Sequence, residues 1–525
     1  MSPKKPMTIA CDACRRRKIK CDALQPCNRC ESAGIACRTT NVRRKKGRQG
    51  AAATVLQELR KAPARIEGPS FPLTGIPDQF VRQPRLLDQS VVQSCADYFF
   101  ARMLGTVPIL LPSTFHDHVD RMARCLHSYC LVYAFCAFVL TQTGYVSSLD
   151  PGHPASTGTL GRQLLGEAMA ARRHLDPFAA PTRVGITIAF LLYGCQIGLG
   201  NQRQAYYFLR EATTLYTAGI LDQADAGVDG DAGSLFWLLL ISERAHAIRR
   251  HRPITLQVTH DSPVLHDAPT DAFHIGFRCL AELYRPFDQT FLSRWNGTDP
   301  SSSRELLIHL EEHLQQAVPA DLELPDMLLA DLRVSQQWLR TMIWQLATSS
   351  GFLSSAPSHP CLGFAYPLQI ARDLSLATWK LSKESLETHG VGLVEKMFEI
   401  TCTLTDVMAC MSSTGLRSSS FDLGPQDYLK HLCTLIQGLP GGETKFLPLL
   451  LAKISQTLPS MLAPVTRHLG LPVQDATSPK GADVDIGSPI ALGNDWSKAF
   501  NWAEMSRIGD KTPEIEGGLE LELGL

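Results

Sequence analysis

Between about residue 90 and residue 465, apolar residues return every three or four positions, the spacing that places them on one face of an α-helix. No series of alternating apolar and polar runs suggests strands. Asn201 is placed to cap a helix in which Ala205, Phe208, Leu209, Ala212, Leu215 and Tyr216 share a face, with Gly219 as its stop. Ser234 opens a second helix, LFWLLLISERAHAI, whose start is apolar on nearly every side and so belongs near a core centre, before RRHRP ends it. The most membrane-like stretch runs from Val184 to Gly200, but Gln196, four glycines and a marginal length predict a buried helix.

The periodicity fails at both flanks. Residues 51–62 read as a short helix with Val55, Leu56 and Leu59 as its apolar stripe until Pro63, and the five prolines of residues 63–90 read as a linker. That stripe spans under two heptads, against the three or four that a stable coiled coil needs. A monomer, or a weak homodimer whose interface the larger domain shares, is therefore expected. After about Val465 glycine, proline, serine and aspartate accumulate. Residues 475–525 carry ten acids against four bases, with Trp496, Phe500 and Trp502 among them. This composition suits a disordered activation segment that folds on a coactivator, although a floppy tail with a terminal helix packed on the domain fits the same residues. The expected organisation is 1–50, a small metal-bound module with a basic arm; 51–90, a short helix and linker; 91–465, a large all-α domain; and 466–525, an acidic tail.

Charge changes the picture only locally. The chain of 525 residues has a formal net charge of zero, yet residues 1–50 hold fourteen Lys or Arg against three Asp or Glu, which leaves the remainder about eleven negative. A phosphate backbone responds to charge within about a Debye length, roughly 10 Å, so the short basic end suits nucleic acid despite the neutral total.

Of sixteen cysteines, ten are scattered through apolar helical text, a distribution that suits a reduced compartment and small core residues. The other six crowd together. Cys11, Cys14 and Cys21 repeat the spacing of Cys27, Cys30 and Cys37, so one unit of CxxC, six residues and a third cysteine occurs twice. Structural zinc prefers four ligands in a tetrahedron, and three thiolates leave each half one short. If one cysteine of each half bridges two metals, six thiolates supply eight metal–sulfur bonds and both zincs are satisfied. The basic run RRRKIK, residues 15–20, lies only in the first half; the second has ESAGIA at residues 31–36. The first half is thus expected to face DNA. A short helix starting near Asp12 would put an acid at its positive end and cations at its negative end.

This cysteine pattern resembles the fungal binuclear zinc cluster family of transcription factors over essentially the whole motif. The resemblance implies two zinc ions, with Cys11 and Cys27 bridging, Cys14 and Cys21 on one zinc and Cys30 and Cys37 on the other. It also implies that Lys18 reads a CGG triplet in the major groove, with Arg17 as its partner and Arg15, Arg16 and Lys20 on phosphates. Lys and Arg suit guanine because both donate to its O6 and N7 acceptors. The following run RRKKGR, residues 43–48, suits nuclear import and phosphate contact. Three further stretches, residues 98–115, 198–221 and 234–256, resemble the family's middle homology regulatory domain; the last resembles members that regulate sugar or other carbon use, and members tied to secondary-metabolite gene clusters share related text, so the resemblance implies a metabolic or a secondary-metabolite gene set. Such a domain has precedent for an apolar pocket that takes a small-molecule inducer, which the sequence does not locate; docking of other proteins is an equal alternative.

Enzymatic chemistry finds no support. His116, Asp117 and His118, and the set His251, His260, Asp261, His266 and Asp267, carry potential ligands, but no helical metal spacing organises them, and surface or capping roles are expected. GxSxG, GK[ST] and glycine-fingerprint motifs are absent from the sequence, and so is a secretory leader pattern or other membrane signature. The expectation is a nuclear, zinc-dependent activator that binds promoter DNA, with a repressor or a zinc-stapled scaffold that binds nucleic acid nonspecifically as the alternatives.

Overall fold

Side chains that recur at helical spacing must find a partner face, and in the computed structural model they do so through helix-on-helix packing. The structure describes residues 10–37 except 12, 15, 16 and 25, and residues 87–472 except 144–153, 177–180, 220–231, 266–270, 300, 302 and 412–422. The short helix at 51–62, the linker prolines, the arm at 43–48 and residues 473–525 of the acidic tail lie outside these residues; residues 466–468, expected in that tail, instead end helix Pro459–His468. The chain divides into two compact units, Met1–Leu73 and Thr74–Leu525.

Helices Gln89–Tyr98 to Pro459–His468 build the larger unit. Among the described residues there is no strand, only an isolated bridge between Ser354 and Gly363. Four helices form one layer. Leu126–Thr143 packs on Pro154–Arg172 and on Arg183–Leu199, which in turn packs on Gln202–Gly219. A second group assembles around Asp326–Ser349 and Gly390–Cys410, with Tyr366–Thr378 and Pro425–Gly438 against them. Leu126–Thr143 sits at the centre of the first layer because it is apolar all round. An aromatic cluster fixes its flank: the Phe115 and Phe135 ring centroids are 4.2 Å apart, and those of Phe99 and Phe135 4.8 Å.

Two sequence-based expectations need correction here. Among the described residues, the helix long and apolar enough to cross a membrane is Leu126–Thr143, not the 184–200 stretch, and 89% of it is buried within the domain. Arg183–Leu199 is the buried helix expected, with Thr182 Oγ1 accepting from Gly185 N–H and Gly200 in the left-handed conformation at its end. Its Gly198 lies against the Thr141 carbonyl, where a Cβ would collide with backbone. Asn201 does stand directly before Gln202–Gly219, but its Nδ2 donates to Gln196 Oε1. Ala205, Phe208, Leu209, Ala212 and Tyr216 are buried as their spacing predicted, and Leu215 is half-buried. Ala232–Arg250 begins two residues before Ser234, and its residues 235–241 are all buried.

Candidate metal centre and nucleic-acid interface

The two cysteine repeats fold into two copies of the same turn. In the first half Ala13 and Cys14 are helical, Arg17 N–H donates to Ala13 O at 3.1 Å, and Ile19 N–H reaches back to Cys14 O at 3.1 Å across Lys18, whose φ is +53°. In the second half Asn28–Glu31 is helical, and Ile35 N–H reaches back to Cys30 O at 3.1 Å across Gly34, with φ +60°. Cys11 N–H points to Cys21 Sγ at 3.5 Å, and Cys27 N–H to Cys37 Sγ at 3.3 Å. Each half thus closes its helical turn with a left-handed residue and brings its third cysteine back to its first.

The six sulfurs converge. Cys11 Sγ lies 3.8 Å from Cys27 Sγ and 3.6 Å from Cys30 Sγ; Cys14 Sγ lies 3.6 Å from Cys27 Sγ and 4.0 Å from Cys30 Sγ. Cys37 is within side-chain hydrogen-bonding reach of Cys11 and Cys27, and Cys21 of Cys14. Thiolates held about 2.3 Å from one tetrahedral zinc stand about 3.8 Å apart, so this spacing fits shared metal. It is far too long for a disulfide, whose S–S bond is about 2.0 Å. Cys11, Cys14, Cys27 and Cys30 are buried. Burial first, and then hydrogen bonds with Cys27 and Cys11, push the Cys14 thiol up to about 12. Such a group ionises at neutral pH only when a cation replaces its proton.

Arg17, Lys18, Ile19 and Lys20 are exposed, as are residues 31–36 of the second half. One face of the pseudo-symmetric core therefore carries cations and its counterpart does not. Arg15, Arg16 and Asp12 lie outside the described residues, which leaves Ala13 and Cys14 as the described part of the expected first helix.

Asp22 is a site residue that periodicity and spacing did not single out. Its Oδ1 accepts from Leu24 N–H at 3.2 Å and its Oδ2 from Asn28 N–H at 3.0 Å, so one carboxylate ties the inter-half loop to the first residue of Asn28–Glu31. The available signal was an acid directly after the third cysteine, where Asp accepts from backbone N–H groups further along the chain.

The His and Asp sets of the helical unit do not converge. His116, Asp117 and His118 lie on helix Pro112–Arg121. His116 Nδ1 meets Pro112 O at 2.7 Å, His118 Nδ1 meets Ser128 Oγ at 2.9 Å, and Asp117 pairs with Arg121 at 3.2 Å. His251 stacks on Trp295 and meets Asn296 Oδ1, while His260 and Asp261 form an exposed pair. His266 and Asp267 lie outside the described residues. Among the described residues, the groupings that could hold a metal all draw on the N-terminal cysteine module. Cys95, Cys130, Cys136, Cys195, Cys361, Cys402 and Cys433 are buried in the helical core, Cys125 and Cys279 are half-buried, and Cys410 is exposed.

Residues 9–47 match the family described as the fungal Zn(2)-Cys(6) binuclear cluster domain, which binds two zinc ions through six cysteines. The chain is 22% identical to a probable sucrose utilization protein of Candida albicans over 412 residues, covering 76% of this chain and 79% of that protein. It is 25% identical to a maltose fermentation regulatory protein of Saccharomyces cerevisiae over 415 residues, covering 76% of this chain and 84% of that one. A shorter match, 42% over 71 residues (13% of this chain and 10% of the other), is to a C6 finger domain transcription factor of Trichophyton rubrum.

Proposed function

We propose that this chain, which carries a fungal Zn(2)-Cys(6) binuclear cluster domain and whose relatives are fungal transcription regulators, acts in the nucleus as an activator of genes for carbon-source use, reading CGG-type triplets in promoter DNA. The observation that carries this reading is the asymmetry of a symmetric scaffold: both halves make the same turn, and only the first offers Arg17, Lys18 and Lys20 to solvent.

In this reading Cys11, Cys14, Cys21 and Cys27 would hold one zinc and Cys11, Cys27, Cys30 and Cys37 the other. Cys11 Sγ lies 3.6 Å from Cys30 Sγ and Cys27 Sγ 3.6 Å from Cys14 Sγ, so each would reach the ligands of the other half as a shared cysteine must. Lys18 and Arg17 donate to guanine edges; Arg15, Arg16 and Lys20 meet phosphates and set the register. Zinc supplies structure, holding the turn that presents Lys18. The helical unit receives the inducing signal, and the acidic residues 475–525 recruit coactivators.

The test titrates the full-length, zinc-loaded chain against duplexes carrying one CGG, two CGG triplets at varied spacing, or a scrambled site, with zinc counted per chain. Two zincs and a CGG preference of tenfold or more support the reading, and the best spacing reports monomer or dimer. Equal affinity for all duplexes overturns it in favour of a zinc-stapled, nonspecific binder. Absence of reporter activation by residues 475–525 fused to an unrelated DNA-binding domain would replace activation with a tail packed on the domain, or with repression.

A further inference from the structure

One buried helix of the larger unit carries two carboxyls in opposite circumstances. Gly390–Cys410 presents Glu395 and, one turn later, Glu399, and both are buried. Glu395 accepts from Arg249 Nη1 at 3.2 Å and also from Arg250, both on Ala232–Arg250. Glu399 instead accepts from Trp338 Nε1 of Asp326–Ser349, so an indole N–H stands where Glu395 has two guanidiniums. Arg249 is held between the two. Its Nη2 donates to Gly392 O at 3.2 Å, its guanidinium lies 4.9 Å from the Trp338 ring centroid, and its Nε is buried without a hydrogen-bond partner.

The same indole therefore touches Glu399 through its N–H and Arg249 through its face. Buried polar groups are nearly always paired, so the unused Nε marks a guanidinium with hydrogen-bonding capacity to spare. Both carboxyls act on that guanidinium electrostatically, Glu395 more strongly than Glu399.

The surrounding groups keep one charge state near neutral pH. Lys396 Nζ donates to Ser335 Oγ at 2.6 Å and Asp331 Oδ1 at 3.2 Å, and each partner of this pair outweighs burial to keep the other ionised. Burial first, and then Arg250 and Arg249, push His246 down to about 3, so its ring is neutral. Burial pushes Tyr193 up to about 12 and raises Cys402 as well, so both hold their protons. The Tyr284 ring faces Lys396, Lys445 lies within range of Glu395, and Lys453 pairs with Asp406 at 2.7 Å, two turns beyond Glu399. With Asp331 balancing Lys396, Arg249 and Arg250 share the single carboxylate of Glu395. One buried cation is in excess until Glu399 ionises, and uncompensated charge is costly at low dielectric. Burial opposes that ionisation more than Arg249 favours it, and pushes Glu399 up to about 7.

We propose that Arg249 is a two-position arm, held on Glu395 while Glu399 keeps its proton and turned toward Glu399 once that proton is lost, which makes the seam between Ala232–Arg250 and Gly390–Cys410 a pH-sensitive switch. The turn gives Nε a carboxylate acceptor, leaves Glu395 to Arg250 and releases Gly392 O. One proton suffices to bias the seam because the cluster has a surplus cation in one state and none in the other. The switch belongs to the helical unit and does not depend on what the cysteine module reads.

The experiment is a double-mutant cycle of Arg249→Met and Glu395→Gln in the full-length, zinc-loaded chain, repeated in the Glu399→Gln background. It is read as unfolding equilibrium constants from denaturant melts at pH 6 and pH 8. The expected coupling between residues 249 and 395 is roughly tenfold at pH 6 and falls by about threefold or more at pH 8, while with Glu399→Gln it is the same at both. Coupling that does not fall, or that falls equally with Glu399→Gln, overturns the inference. Should a member of the cycle not fold, the tryptophan fluorescence of wild type and Glu399→Gln between pH 5.5 and pH 8.5 decides, since Gln keeps an acceptor for Trp338 Nε1. A transition centred near 7 that Glu399→Gln abolishes supports the switch, and its absence from wild type or its persistence in the variant overturns it.

Discussion

Lys18 and Gly34 occupy the same left-handed position in the two halves of the cysteine module, each bridged by a backbone hydrogen bond of 3.1 Å that runs from an isoleucine to a cysteine carbonyl. Glycine adopts that conformation freely, whereas any other residue is strained there by roughly 1–2 kcal/mol. The half with the basic run accepts this strain and places an exposed lysine at the turn.

Replacing Lys18 by Gly should therefore separate fold from reading. Lys18→Gly is expected to keep two zincs and gain up to about 1 kcal/mol in module stability, while losing about 1–3 kcal/mol of discrimination between CGG and scrambled duplexes. Binding isotherms at fixed salt check this. Lys20→Ala should instead weaken both duplexes alike and reduce the salt slope by about one.

Zinc retention should depend on pH in a defined direction. The Cys14 thiol, held up to about 12 by burial and its sulfur neighbours, must lose its proton to bind metal. Acid favours the protonated thiol, so affinity falls as pH drops; chelator competition at pH 8 and pH 6 should show weaker zinc at pH 6. Complete chelation should abolish CGG binding and leave most far-UV helical signal, because helices Gln89–Tyr98 to Pro459–His468 contain none of the six cysteines.

Asp22→Ala should leave two backbone N–H groups, those of Leu24 and Asn28, without their carboxylate. A loss of about 0.5–2 kcal/mol is expected, as for other side chains that cap helix starts. It would be read as faster zinc transfer to a chelator, with the DNA sequence preference retained.

Two buried glutamates one helical turn apart should titrate in opposite senses. Arg250 and Arg249 outweigh burial and hold Glu395 below the usual carboxylate range, so its stabilisation is present above the unfolded value and is lost as pH falls through the folded one. Burial, the largest influence on Glu399, pushes it up to about 7. Its contribution is full below the unfolded value near 4.3 and is lost as pH rises through about 7. Glu399→Gln keeps an acceptor for Trp338 Nε1 and should raise stability above pH 7 by up to about 3 kcal/mol, with little effect near pH 5. Glu395→Ala should lower stability by about 3–5 kcal/mol at pH 7, because Arg249 and Arg250 lose their shared partner. Denaturant melts at the two pH values decide both.

The sequence by itself determined the metal centre, because six cysteines at repeated spacing leave few ways to satisfy tetrahedral ligands, and the structure brings the sulfurs of Cys11 and Cys14 to within 3.6–4.0 Å of those of Cys27 and Cys30. It also determined the helical class, since the period that buries Ala205, Phe208 and Tyr216 is local information. Only the tertiary structure decided which charges lie inside. Arg249 and Glu395 are 146 positions apart and meet at 3.2 Å, and no local period encodes a pair whose stability comes from helices distant in the chain. The backbone of Lys18 was not legible either: its identity was, but its left-handed conformation shows only in the turn that Ile19 N–H closes on Cys14 O.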